Sequence, residues 1–219
     1  MEKAKTSMDH YHMFILLMLS GGFMGAYSYY LKGGVFANAE TANLLILALN
    51  AANGDWQRMV SVLVPITTFF IGTFLSELLS DRLKRRWPSL LLVGEMLLLA
   101  LLSFLPQSTP FTIYHVAIAL ISSMQYNTFR QARGVQLSTL FCTAHLRGGG
   151  SMLYHALKDG DRGALRKSMY HIGMILTFVL GALSCALASR ILGTHTLVLG
   201  VIPLAIVLFE ILKREKSGN

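Results

Sequence analysis

Val35-Phe36-Ala37-Asn38-Ala39-Glu40-Thr41-Ala42-Asn43, with the largely apolar run to Asn53 that follows, decides how this chain is read. A helix from Thr41 to Asn53 would rise only roughly 20 Å, enough to reach into a hydrocarbon core of about 30 Å and not across it. The segments around it are long enough to cross. A weaker copy, Thr143-Ala144-His145-Leu146, follows 102 positions later.

A short segment among long ones is informative only in a membrane protein, and the composition places the chain in that class. Of the 219 residues, 53% are hydrophobic and 14% charged, against roughly 25% charged in soluble domains. Six stretches are predicted to cross: Met13 to Leu31, Met59 to Leu79, Trp87 to Leu105, Phe111 to Phe129, Ser168 to Ser189 and Ile191 to Leu212. Each is about 20 residues long, which suffices at about 1.5 Å per residue. The first follows Lys3 and Lys5 as a signal peptide would, but it stays apolar past Ser20-Gly21-Gly22. A retained helix is expected.

Charge placement then fixes what the short segments do. If both enter and leave on one side, sixteen of the nineteen basic residues share a face, and only Lys32, Arg58 and Arg190 lie opposite. Cytoplasmic loops are rich in Lys and Arg, so the crowded face is predicted to be cytoplasmic, with both termini inside. Full crossing by both segments would make eight spans and leave a basic cluster outside in either orientation. The net charge of +8 therefore reports orientation, and no nucleic-acid partner is expected.

The predicted fold class is an all-α integral membrane protein of six transmembrane helices plus two short re-entrant half-helices. One membrane domain, residues 1–219, would hold two repeat halves, 12–105 and 111–213. Each half has an odd number of crossings, which makes the repeat inverted, an arrangement that places transport sites near the midplane. Further matches keep the same order: Gly54-Asp55 with Gly160-Asp161, and Phe69-x-x-Gly72 with Phe178-x-x-Gly181.

Gly21-Gly-Phe-Met-Gly-Ala-Tyr-Ser-Tyr-Tyr30, Gly33-Gly-Val-Phe-Ala-Asn-Ala-Glu-Thr-Ala-Asn43 and Met124-Gln125-Tyr126-Asn127 together resemble the YoaK-like family of bacterial membrane proteins, a domain of unknown function. The resemblance covers nearly the whole chain and implies a polytopic inner-membrane protein of about six helices, with no substrate attached. This chain departs from the family pattern in having Gly25 where an acidic residue is usual. It also has Thr41-Ala42-Asn43 and Thr143-Ala144-His145 where Thr-Gly-Asn is usual, and Glu40 where Gln is commoner.

The candidate substrate-binding residues cluster at the two short segments and in the spans before them. Asn38 or Thr41 is expected to cap the first half-helix, with Glu40 at its mouth, where a carboxylate interacts favourably with the amide dipoles. Asn43 and His145 occupy matching positions, and both side chains can donate and accept hydrogen bonds. Thr143, Tyr27, Gln125 and Asn127 complete the set. Glu95 is a mid-span carboxylate, costly in lipid by about 2.5 to 3.5 kcal/mol. His115, His155 and His171 have no metal or triad spacing and are taken as structural.

Cys142 and Cys185 lack C-x-x-C spacing, so neither a disulfide framework nor a metal site is indicated. No phosphate loop or nucleophile elbow occurs, and no cofactor is expected. The expected function is an inner-membrane transporter or channel for a small polar or anionic solute, more a carrier than an enzyme. Its expected partners are the bilayer, that solute and a second copy of the chain in a homo-oligomer. The rivals are a membrane-embedded enzyme acting on a lipid-like substrate and a membrane sensor or assembly partner.

Overall fold

In a computed structural model of the protein, residues 11–132 and 135–217 are described. Lys3, Lys5 and Arg133, three of the basic residues that carry the predicted orientation, lie outside the described residues. Eight helices occur among the described residues: α1 Tyr11–Leu31, α2 Glu40–Ala52, α3 Trp56–Leu83, α4 Trp87–Ser103, α5 Phe111–Thr128, α6 Cys142–Asp159, α7 Arg162–Leu192 and α8 Val201–Ser217. A two-residue antiparallel ladder, β1 Gln131–Ala132 with β2 Val135–Gln136, sits between α5 and α6.

The local chemistry that starts and stops these helices is legible in pairs. Gly54 and Gly160 both take left-handed φ, 71° and 67°, which glycine adopts without a Cβ penalty and which ends α2 and α6. Each is followed by an aspartate that caps the next helix. The Asp55 carboxylate accepts from the Arg58 amide at 3.0 Å, and that of Asp161 from the Gly163 amide at 2.7 Å. Pro88 stands in the first turn of α4, where its missing N–H costs nothing.

Side-chain bonds define two ends of the bundle. At one end the Tyr11 hydroxyl donates to the Tyr170 carbonyl at 2.6 Å, the Trp87 indole donates to the Thr128 hydroxyl at 2.8 Å, and Glu77 pairs with Arg130. At the other, the Tyr27 hydroxyl donates to the Thr194 carbonyl at 2.9 Å, the His115 ring donates to the Lys32 carbonyl at 2.7 Å, and the Ser103 hydroxyl donates to the His195 carbonyl at 2.6 Å. Helices α1, α3, α4, α5, α7 and α8 run between these ends. The guanidinium of Arg58, at the start of α3, donates to the carbonyls of Gly33 and Gly34 at 3.1 Å each. The chain from 35 to 57 thus returns to the end it left. Helix α6 folds back along α7 as a hairpin, held by the Ser168 hydroxyl on the Gly149 carbonyl at 2.9 Å.

Crossed packing joins the first and second parts of the chain. Among helices not adjacent in the chain, the most extensive contacts pair α1 with α7 and α3 with α5. A Cβ on Gly181 would lie 2.1 Å from the Leu19 carbonyl oxygen, and one on Gly72 would lie 2.0 Å from the Ser123 hydroxyl. Small residues of this kind let membrane helices bring their backbones together.

Among the described residues three helical stretches, Tyr11–Leu31, Trp56–Ser103 and Arg162–Glu215, are long and apolar enough to cross a membrane, and the second and third each contain two successive helices. Phe70 and Phe209 lie on their outer surface, 78% and 68% exposed, with Phe74 and Leu97 similarly placed. So broad an apolar exterior suits lipid as its surroundings.

The last predicted span, Ile191 to Leu212, differs in detail. Helix α7 continues to Leu192, a 3-10 run covers Gly193–Gly200, and α8 begins only at Val201. Gly193 has φ 54°, the Thr196 hydroxyl turns back to its carbonyl, and His195 exchanges hydrogen bonds with Ser103. Hydropathy is blind to a break made by backbone angle and side-chain bonding.

Candidate functional site

Helix α2, of 13 residues, and helix α6, which at 18 residues is longer than the short segment expected there, are each preceded by an irregular stretch of backbone, and both stretches end on the same face of α1. Leu17, Gly21 and Gly25 are four residues apart and therefore stack along one side of the helix. The Gln125 amide of α5 donates to the Leu17 carbonyl at 3.4 Å, and the Asn38 amide donates to the Gly21 carbonyl at 2.9 Å. A Cβ on Gly21 would stand 2.4 Å from the Thr139 carbonyl oxygen, and one on Gly25 would stand 2.8 Å from Asn38 Oδ1. The segments before α2 and before α6 thus meet at the middle of α1, through the space two missing side chains leave.

Both approaching segments are fastened in the same way. Asn43 Nδ2 donates to the Phe36 carbonyl at 2.5 Å, seven residues upstream. The His145 ring, through Nε2, donates to the Ser138 carbonyl at 2.9 Å, also seven residues upstream. Ser138 in turn accepts at its hydroxyl from the amides of Leu140 and Phe141, at 3.1 and 2.7 Å, so the turn into α6 is closed on itself.

Because His145 uses Nε2–H as a donor, its Nδ1 is the acceptor of the neutral ring. That nitrogen lies 3.0 Å from Nδ1 of His171 on α7. His171 is then the donor of the pair. A Cβ on Gly148 would lie 2.6 Å from the far nitrogen of that ring, so the glycine makes room for it.

The sequence-derived residues divide between this place and others. Asn38, Glu40, Asn43, Gln125 and His145 belong to it, all buried except the half-buried Glu40. Thr41 and Thr143 are exposed and face away. The expected side-chain cap of α2 is absent: Ala39 holds the cap position, and the Asn38 side chain is engaged by α1. Tyr27 serves one end of the bundle. Asn127 serves the other, donating to Glu77 at 3.3 Å.

Reasoning from the sequence missed Ser138 and Thr139, which resemble any loop hydroxyls, and it set His171 aside. Nothing in local spacing ties His171 to His145; only the α6–α7 hairpin does. Position 25, where this chain has Gly, leaves no room for a larger side chain, since Asn38 fills that space.

The unpartnered atoms give the site a chemical sign. Asn43 donates through its amide to both Phe36 and Glu40, the latter at 3.0 Å, which fixes the amide orientation and leaves Oδ1 as an acceptor. That atom, Glu40 Oε1 and Gln125 Oε1 are buried without a hydrogen-bond partner, as is the Thr139 hydroxyl. A buried polar atom left unmatched costs about 1–3 kcal/mol, and two of these four, the amide oxygens of Asn43 and Gln125, are acceptors only. Glu95 on α4 is fully buried with neither oxygen partnered. Among the described residues no three His, Cys, Asp or Glu side chains are grouped to hold a metal ion.

From residue 13 to residue 209 the chain matches the family described as protein of unknown function (DUF1275). The chain belongs to the DUF1275 family. No curated protein matches it, and no solved structure does. In this DUF1275 protein Asn38 and Thr139 both meet α1 at Gly21.

Proposed function

We propose that this DUF1275 protein is a small transporter or channel that conducts a small polar, hydrogen-bond-donating solute across a bacterial inner membrane. The observation that carries this is the convergence of Asn38 and Thr139 on Gly21. Two stretches of non-helical backbone at mid-helix depth are costly in lipid and are tolerated where they are buried in protein or line a water-filled cavity; the second case supports this reading. Broken helices meeting at a midplane site are a recurrent transporter arrangement.

On this reading α2 and α6 are the two re-entrant half-helices, and the chain is an inverted repeat with halves 12–105 and 111–213. Supporting it are the paired Gly-Asp caps, the paired seven-residue bonds of Asn43 and His145, and the crossed packing of α1 on α7 and α5 on α3. The basic residues then put both termini in the cytoplasm. The narrower kinship with YoaK-like proteins agrees with this placement. Of the two solute classes, the acceptor atoms of Asn43 and Gln125 favour a solute rich in N–H or O–H donors over an anion.

Stopped-flow light scattering of proteoliposomes under inward gradients of glycerol, urea or ammonium tests the proposal. One of these probes should enter faster than into protein-free vesicles, and Gln125→Leu or His145→Ala should remove the gain. Rates equal to those of empty vesicles for all three probes would overturn it.

A further inference from the structure

Away from the α1 site, the end of the bundle that carries Lys32 holds a cavity of about 330 Å³. It opens between the turn after α1, the start of α3 and the start of α5, with Lys32, Asp55, Arg58, Phe111 and His115 in its wall. Lys32 is 2% exposed, an unusual burial for an ammonium. Its Nζ sits 3.7 Å from the ring centroid of Tyr114 and 5.6 Å from those of Tyr27 and Phe111.

The rings compensate part of the lost hydration through their negative faces, but they do not engage the ammonium's three donors as an acceptor would. Among the described residues no carboxylate lies within 4.0 Å of Lys32. Burial lowers its pKa from the ordinary lysine value. A counter-anion would oppose that shift.

Arg58 adds a second cation. Two of its nitrogens donate to the Gly33 and Gly34 carbonyls, which leaves the rest of its five N–H donors available. Asp55 is the opposing charge in the wall, and its Oδ1 is already engaged by the Arg58 amide. Two cations against one acid leave the cavity net positive, and partial burial strengthens that field relative to water.

We infer that this cavity binds a small oxyanion, a phosphate ester or a carboxylate, with Lys32 held on its aromatic cradle as the principal cation and Arg58 as the second. The site is separate from the one on α1 and does not depend on the transport reading. At the membrane surface the oxyanion can be a lipid headgroup phosphate or a soluble anion, and both present the same chemistry to Lys32.

Calorimetry on the purified protein in phosphatidylcholine nanodiscs decides it, with inorganic phosphate and acetate as probes and sodium chloride at matched ionic strength as the control. Saturable binding is expected, at least tenfold weaker in Lys32→Met, severalfold weaker in Arg58→Gln and unchanged in Arg190→Gln, an exposed cation elsewhere. Nanodiscs containing phosphatidylglycerol separate the sources. Competition with phosphate marks a headgroup site, and its absence marks a soluble ligand.

On the unsubstituted protein, phosphate or phosphatidylglycerol should also shield Lys32 from an amine-reactive reagent, read by mass spectrometry, and chloride should not. This arm stands even if a variant fails to fold. Binding unchanged in Lys32→Met, or no binding and no shielding by any of the probes, would overturn the inference.

Discussion

Asn43 and His145, 102 positions apart, each donate a side-chain hydrogen bond to the backbone carbonyl seven residues upstream, Phe36 in one case and Ser138 in the other. An amide and an imidazole do the same work because both present an N–H at similar reach from the helix. The bond pulls the irregular strand back onto the first turn of α2 or α6. That is what holds Asn38 and Thr139 against α1.

Loss of this bond leaves a carbonyl without its partner, so Asn43→Ala and His145→Ala should each destabilise the protein by about 1–3 kcal/mol. His145→Asn should cost less than His145→Ala, since asparagine at the equivalent place already makes the bond. Thermal unfolding in detergent measures the order. If His145→Asn is as damaging as His145→Ala, the two bonds are not interchangeable.

The His145–His171 contact constrains Gly148. Its Cβ would stand 2.6 Å from His171 Nε2, so Gly148→Ala must displace the ring or the hairpin, at about 1–3 kcal/mol for overpacking. Gly150 has open space around it. Gly150→Ala should be neutral or slightly stabilising, because alanine is the better helix former by about 1 kcal/mol. Equal effects of the two substitutions on melting temperature would contradict the contact.

The approach of α7 to α1 at Gly181 has no slack, because the obstacle to a Cβ is the Leu19 carbonyl and not a mobile side chain. Gly181→Ala should therefore cost about 1–3 kcal/mol or more, and Gly181→Leu should prevent assembly of a monodisperse protein. Gly94 of α4, with nothing within 4 Å of its Cβ position, provides the comparison. Gel filtration of Gly94→Ala beside Gly181→Leu makes the test, and two identical profiles would contradict it.

Glu95 should behave in the opposite way to His145. A fully buried carboxyl with neither oxygen partnered contributes no hydrogen bond to lose, so Glu95→Gln and Glu95→Leu should leave the melting temperature unchanged or raise it. A fall of more than about 1 kcal/mol, beyond the usual effect of a neutral substitution, would mean that the carboxyl has a partner in the folded protein.

Orientation can be read directly. With Cys142 and Cys185 replaced, a single cysteine at Gln57 should react with an impermeant maleimide applied to intact cells, and one at Lys158 should not. Both positions are exposed, so access through the bilayer is what differs. Reaction of Lys158→Cys alone would reverse the predicted sidedness.

Much of the architecture was legible because it rests on quantities that sequence carries locally. Apolar length located α1, α3, α4 and α5 to within four residues at either end, but missed the start of α7 by six. Gly54-Asp55 and Gly160-Asp161, matched in the sequence as copies, prove to be two helix boundaries because left-handed backbone and amide capping are properties of those residues themselves. The correspondence of Asn43 and His145, which make the same bond, was also visible, as a match in spacing. Apolar length failed at Gly193, where a backbone angle interrupts a run that stays apolar on both sides.

Partnership was what the sequence lacked. Thr41 and Thr143 sit beside the decisive positions in the chain and face away from the site, because a helix turns about 100° per residue and its burial is set by what packs on it. Gly21 and Gly25 carry no chemistry, yet they admit the backbone of two distant segments. His171, Ser138 and the cradle around Lys32 exist only where helices far apart in sequence cross. Chain chemistry by itself determined which segments are helical and where the charges lie, but not where α7 ends and α8 begins. Tertiary packing alone decided that the segments before Glu40 and before Cys142 end on one face of α1, since that meeting depends on the absence of two side chains and on the hydrogen bonds that close over it.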